Sequence, residues 1–208
     1  EKPMFFGIAD YPAFAAAILI FLLIPGPGNL ALVTSTGKGG MRGGLAAGLG
    51  IILGDQMLLW LAVAGVATVL TTYPTAFAAI QWLGAAYLAW LGWRMRTAKP
   101  GAPPVLNIKP RHYLRQAMGI TLLNPKAIVF YMAFFPLFID PAVAPSLGTF
   151  AAMALTAAAL AVMYGIGLSL LAHRLAERVK ARPWLAQALN KTAGGLLIAF
   201  GLRLALSK

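Results

Sequence analysis

The side chains able to do chemistry in this chain are few, and they fall inside apolar segments. Asp55 is the only acidic residue well within one, since Asp10 and Asp140 fall at segment ends and Glu1 and Glu177 lie outside. Two apolar segments are broken near their middles, one by Pro25-Gly26-Pro27-Gly28-Asn29 and the other by Asn124-Pro125-Lys126. A proline inside a helix removes a backbone donor and clashes with the preceding turn, at a cost of about 3 kcal/mol. Each break also restarts a helix: Asn124 fits an N-cap with Pro125 in the first turn, and Pro27 restarts a segment with Gly28 and Asn29 in its opening turn. A helix start presents unpaired N–H groups and partial positive charge, a setting for an anion, and Lys126 adds a full charge. Asp55 facing them could hold an ammonium group or a proton. Together these groups suit a zwitterion, of which a free amino acid is the simplest. The bland readings are two proline kinks that touch no ligand, and an Asp55 that bonds helix ends or pairs with Lys126.

The elements that must position these groups are membrane spans. Only 11% of the 208 residues are charged, less than half the share of a soluble domain, and mean hydropathy is +0.79. Apolar stretches near the length needed to cross about 30 Å of hydrocarbon are expected at 11–33, 44–70, 76–93, 116–139, 147–172 and 189–206. The first follows Asp10 without a basic leader and reads as a retained span, not a signal peptide. Counting 1.5 Å per residue from the segment ends, Pro25, Pro125 and Asp55 all fall about 14–16 Å deep, so they can meet near the midplane. In a bilayer no water satisfies backbone freed by a break, unless that backbone lines a cavity or packs against protein. Paired broken helices in two halves of a chain are the sequence pointer to a transporter's binding site. Glycines four apart, Gly44 with Gly48 and Gly50 with Gly54, allow the close helix packing that would bring Asp55 to the breaks.

The net charge of +12 is that of a nucleic-acid binder in a soluble protein, but its placement points elsewhere. Thirteen of the seventeen Lys and Arg residues fall in the connections after the first, third and fifth segments or, for Lys191, at the very start of the sixth, and the connections after the second and fourth carry none. Basic connections face the cytoplasm, so both termini are expected outside, in the periplasm of a bacterium. The basic stretch 174–191 with Trp184 marks the inner interface and anionic lipid. Proline-rich residues 97–113 read as an extended linker within a connection spanning 94–115, between a first half at 11–93 and a second at 116–206. Gly84…Gly92-Trp93-Arg94 matches Ala193…Gly201-Leu202-Arg203, and three spans per half require the second half to be inverted. The expected fold is one all-α integral membrane domain, residues 1–208, of six spans in two inverted three-helix repeats with helices one and four broken.

Several motifs together resemble the LysE/RhtB family of bacterial amino-acid exporters. They are Pro25-Gly26-Pro27, Gly50 with Gly54-Asp55, Leu83-Gly84-Ala85-Ala86-Tyr87 with Gly92, Arg115-Gln116, and Asn124-Pro125-Lys126-Ala127, spread from Tyr11 to Leu206. Phe134-Phe135-Pro136-Leu137-Phe138-Ile139-Asp140 resembles the neutral branch, the leucine and homoserine/threonine exporters. The family's usual Asn or Asp after the second proline is Gly28 here, with Asn29 next to it to take that role. The resemblance implies export of neutral amino acids across the inner membrane, driven by the proton gradient, with a homodimer as the family tendency. It implies a binding and coupling site of Asp55, Pro25, Gly26, Pro27, Gly28, Asn29, Asn124, Pro125 and Lys126, with no cofactor, no metal and no catalytic residue.

The alternatives are a channel or cation-flux protein of related architecture, and a membrane enzyme. Such enzymes commonly gather several Asp or His residues around a metal, whereas His112 and His173 lie at basic segment ends here. An ATP-driven pump is disfavoured because Ser35-Thr36-Gly37-Lys38-Gly39 lacks the leading Gly and closing Ser/Thr of a phosphate loop. With no cysteine in the chain, disulfides and thiolate metal sites are excluded.

Overall fold

A computed structural model describes residues 7, 8, 10–66, 72–99, 105–139 and 146–206. Among them the chain is helical, with α1 at Tyr11–Leu23, α2 at Pro27–Leu61, α3 at Pro74–Thr97, α4 at Tyr113–Leu122, α5 at Pro125–Val129, α6 at Leu147–Ala181 and α7 at Pro183–Leu206. α2 runs on into a π-helical turn, Ala62–Val66, and α5 into π-helical Phe130–Phe134 and 3-10 Phe135–Phe138. The only β feature described is a single bridge between Ile8 and Ile139. The expected end of the second span at Leu70, Pro100, Pro103 and Pro104 of the linker, and Asp140 lie outside the described residues.

α2 is not one rod. Gly40 has φ +60° and ψ −156°, a conformation open to glycine and strained for residues with a Cβ, and the chain folds back there. Gly43 lies on the Ser35 carbonyl, Gly44 on Thr36, Gly48 beside Leu32 and Gly28 beside Ile51, so the two arms are antiparallel and nearly in backbone contact. By length and apolarity Pro27–Gly65 and Leu147–Ala176 could each cross a membrane; the first of these is a hairpin. The segment expected at 11–33 is therefore α1 plus the first arm of α2, joined through residues 24–26.

Contacts of the same kind, with a few hydrogen bonds, give the relative directions of the helices that pack in pairs. Gly50 sits on the Leu114 backbone and Gly54 on Thr121 and Met118, so the second arm of α2 runs parallel to α4. Gly92 meets Gly194 and Ile198 while Gly201 meets Ala85 and Ala89, so α3 and α7 are antiparallel. α6 runs parallel to α1 and the first arm, through Tyr11 Oη to Thr156 Oγ1 at 3.0 Å and Asn29 Nδ2 to Tyr164 Oη at 3.0 Å. It runs antiparallel to the second arm, where Gln56 Nε2 donates to the Ala154 carbonyl at 3.0 Å.

The main core lies where α1, α5 and α6 meet. Phe21 stacks on Phe130 with centroids 4.3 Å apart, and Phe14 meets Phe135 edge-on at 6.2 Å. A second cluster, with Leu88, Leu91, Met95 and Leu197, joins α3 to α7. Outside these cores Trp82, Leu83, Trp93 and Leu155 are each more than 60% exposed, an apolar surface that suits hydrocarbon and that soluble proteins seldom offer to water.

Two expectations change in detail. α6 does not stop near residue 172 but continues to Ala181, because residues 173–181 are mostly helix formers and only Pro183 ends the run. The linker, expected to be extended, is docked over residues 105–112. Lys38 Nζ donates to the Ile108 carbonyl at 2.9 Å, and the Gln116 side chain bonds both the N–H and the carbonyl of Lys109 at 3.0 Å.

Gly50→Ala places a methyl on the Leu114 carbonyl oxygen, an overpacked contact with backbone that cannot rotate away, costing about 1–3 kcal/mol. Gly37→Ala meets nothing within 4 Å and should be close to neutral. Unfolding midpoints of the purified variants in detergent should separate the two; equal midpoints would remove the close packing of α2 on α4.

Candidate functional site

The break after α1 leaves a defined set of orphan carbonyls. In a continuous helix the Phe21 carbonyl would accept from residue 25, which is proline, and the Leu22 carbonyl from Gly26, which is extended at φ −159° and ψ 177°. Both find donors elsewhere. Lys126 Nζ donates to the Phe21 carbonyl at 2.9 Å and to the Ile24 carbonyl at 2.7 Å, and lies 4.4 Å from the centre of the Phe21 ring. Asn29 Nδ2 donates to the Leu22 carbonyl at 3.0 Å, reaches that of Ile24 at 3.4 Å, and meets Tyr164 Oη at 3.0 Å. Lys126 is 5% exposed. Such burial of an ammonium is tolerable because its protons meet oxygen and an aromatic face.

The second break closes itself. The Asn124 N–H takes the Thr121 carbonyl at 3.0 Å, which the Pro125 nitrogen cannot reach as a donor. The Asn124 side chain then caps α5 by accepting from the Lys126 N–H at 3.1 Å, with Pro125 at the first position. The expected N-cap is therefore present as a local structure. At the start of α2, Gly26 offers no side-chain cap, so among the described residues the amides of Gly28 and Asn29 in that first turn are not capped by the N-cap side chain.

Asp55 is buried on the second arm of α2, next to Gly54, which packs on Thr121 one turn before the second break. Among the described residues no hydrogen bond or ion pair reaches its carboxylate. The structure thus brings Asp55, Lys126, Asn124, Pro125 and the carbonyl face of the Pro25-Gly26-Pro27 break into one region. Gly26 lies so close that a Cβ there would be 3.2 Å from Lys126 Cε. Lys126 and Asn29, expected to face an anion, direct their donors to backbone carbonyls instead.

Three residues in the region escaped the sequence reading. Thr121 is 1% exposed, and its hydroxyl has no partner among the described residues. It lies between Gly28 and Gly54, since a Cβ on either glycine would approach it. Tyr131 packs against Phe21 and Phe135 beside the first break, and Tyr164 holds Asn29. Nothing marked the tyrosines in sequence, while Thr121, the one polar residue one turn before Asn124, was a readable signal. A cavity of about 600 Å³ lies nearby, lined by Tyr87, Leu106, Gln116, Gly119 and Leu123 among others. It runs from the docked linker along α4 to the second break and does not include Asp55 or Lys126.

Residues 19–208 match the family described as LysE type translocator. A leucine efflux protein of Klebsiella pneumoniae is 35% identical over 205 residues, 96% of each chain. A leucine efflux protein of Enterobacter sp. is 33% identical over 210 residues, 96% of this chain and 97% of its own. An uncharacterized membrane protein of Pseudomonas aeruginosa is 32% identical over 207 residues, 96% of each chain. No solved structure matches the chain significantly.

Asn29→Ala strips the donor from the Leu22 carbonyl in a setting where water cannot replace it, a loss of about 1–3 kcal/mol. Tyr164→Phe removes only the hydroxyl that Asn29 also touches and should cost less. The order of the two unfolding midpoints in detergent checks this, and a milder Asn29→Ala would show that the carbonyl has another donor.

Proposed function

The chain belongs to the LysE type translocator family, and we propose that it is a secondary transporter, not an enzyme. In this reading it exports neutral amino acids, leucine foremost, across the inner membrane of a bacterium. The observation that carries the reading is the buried Asp55 carboxylate, unpartnered among the described residues, beside two helix breaks. An acidic side chain at the centre of a span costs roughly 2.5–3.5 kcal/mol on insertion scales, and such residues mark substrate and proton paths.

The substrate carboxylate would lie at the uncapped start of α2, against the amides of Gly28 and Asn29, with the Thr121 hydroxyl as a further donor. Its ammonium group and the coupled proton would compete for Asp55. A proton arriving from the acidic outer side would displace the ammonium group and favour release outward, and departure of that proton to the cytoplasm would reopen the site for loading. Lys126 would contribute through its charge rather than as a direct ligand. The cavity under the linker suits an approach from the cytoplasm.

The alternating directions of the packed helices support six spans in two inverted halves. α1 with the first arm of α2, α3 and α6 would point one way; the second arm of α2, α4 with α5, and α7 would point the other. With the basic connections inside, both termini would be periplasmic. The two α2 arms turn at Gly40, between Lys38 and Arg42, as a short basic connection on the cytoplasmic side would. Single cysteines introduced by Thr72→Cys and Ala102→Cys on the cysteine-free background test the orientation. Thr72→Cys should react with an impermeant thiol reagent in intact cells and Ala102→Cys should not; the opposite pattern would invert the topology.

Proteoliposomes should show leucine counterflow and leucine-dependent proton movement, and proton flux indifferent to amino acids would favour the channel reading. Asp55→Asn keeps the shape but cannot cycle a proton, so uphill export should be lost while binding or slow exchange persists. Thr121→Val should weaken leucine binding with little loss of stability. Uphill export at the unmodified rate by Asp55→Asn would leave Asp55 a structural residue.

A further inference from the structure

We infer that the carbonyls at the first break form a cation site, and that the Lys126 ammonium is its built-in occupant. The site is assembled from parts far apart in the sequence that meet only in the fold. Pro25 frees the Phe21 carbonyl, the extended backbone after Leu23 turns out that of Ile24, and the Phe21 ring supplies a π face. Lys126 Nζ meets the two oxygens at 2.9 and 2.7 Å and the ring centre at 4.4 Å. It reaches them from 105 residues away in the chain and is 5% exposed. Gly26 completes the wall, since a Cβ there would press on Lys126 Cε and Nζ at 3.2 and 3.3 Å. Carbonyl oxygens that replace a hydration shell are how proteins hold small monovalent cations. A helix C-terminal end adds partial negative charge, and an aromatic face adds a further attraction.

The ligand class is therefore a primary ammonium or a small alkali cation. A residue that fills such a site permanently makes the protein independent of a dissolved cation. Truncating the tether should expose the site and create that dependence. The inference goes beyond the exporter reading and does not require it, since the site is defined by stability and not by transport.

The test uses the purified full chain in detergent, with unfolding midpoints measured at constant ionic strength in choline, sodium and methylammonium chloride. Lys126→Ala should unfold at lower temperature in choline and regain stability saturably with methylammonium, the missing headgroup. Wild type should not respond, because its site is full, and neither should Lys126→Met, whose neutral chain occupies the space. Sodium matching methylammonium would assign an alkali-cation site, and methylammonium alone an ammonium site. Should Lys126→Ala not be recovered in choline, recovery with methylammonium present from solubilisation onward is the expected result, and failure in both media would overturn the proposal. Equal responses of all three proteins, or none in Lys126→Ala, would also overturn it. Leucine counterflow by wild type is read separately, so failure of the cation site leaves the exporter reading standing.

Discussion

A helix broken inside apolar surroundings must find donors for the carbonyls it orphans, and in this protein the donors come from far along the chain. Each such carbonyl left bare in hydrocarbon would cost several kcal/mol. Pro25 and the extended Gly26 free the carbonyls of Phe21, Leu22 and Ile24, and Lys126 and Asn29 take them. This ties the end of α1 to the start of α5, and through Tyr164 to α6. The aromatic core follows the tie, because the stack of Phe21 on Phe130 sits one helical turn from Lys126. The break is thus a junction of three helices as well as an interruption of one.

The two breaks solve the same problem differently. At the second, a 3-10 bond from Asn124 and its side-chain cap settle the backbone locally. Capping of the first is delegated to the residue that follows the second proline. In a repeat that pairs Pro25 with Pro125, Gly26 would correspond to Lys126, and these are the two that touch. A long side chain on one half and none on the other is what two like segments need to approach and still satisfy each other. The glycines of α2 serve the same end elsewhere: Gly43 and Gly44 close the hairpin, while Gly50 and Gly54 seat it on α4. That seating brings Asp55 toward the breaks.

What sequence shows and hides here divides by range. The breaks, the Asn124 cap with Pro125, the close glycine packing and the isolation of Asp55 were legible, since each depends on neighbours within a turn or on composition. The all-helical class followed from the same local signals, and the family from motifs spread along the chain. The targets of Lys126 and Asn29 were not legible. A cation or an amide beside a helix start looks like an anion site until one knows which carbonyls lie across from it, and those belong to α1. The fold-back at Gly40 falls in the connection expected between the first two segments, and only the helical continuity of that connection with both arms was not legible. Docking of residues 105–112 depends on Lys38 and Gln116, which proline content could not reveal.

The contrast between Asp55 and Lys126 bears on what the region is for. Two opposite charges buried in one region would ordinarily form a hydrogen-bonded pair, the arrangement that best offsets the loss of water. Here the cation spends two of its protons on carbonyls, and the carboxylate is left without a hydrogen-bond donor among the described residues. The hydrogen-bonded pair of Asp55 with Lys126 is thus not formed among the described residues. The Thr121 hydroxyl, also without a partner among the described residues and flanked by Gly28 and Gly54, lies in the same region. Buried polar groups without partners are rare in native proteins; the Ser35 and Ser169 hydroxyls share that state elsewhere in the fold, and the exporter reading would give the groups in this region an occupant. On the exporter reading that occupant is the substrate or the proton exchanged for it, and the unfilled bonds are what make the exchange possible.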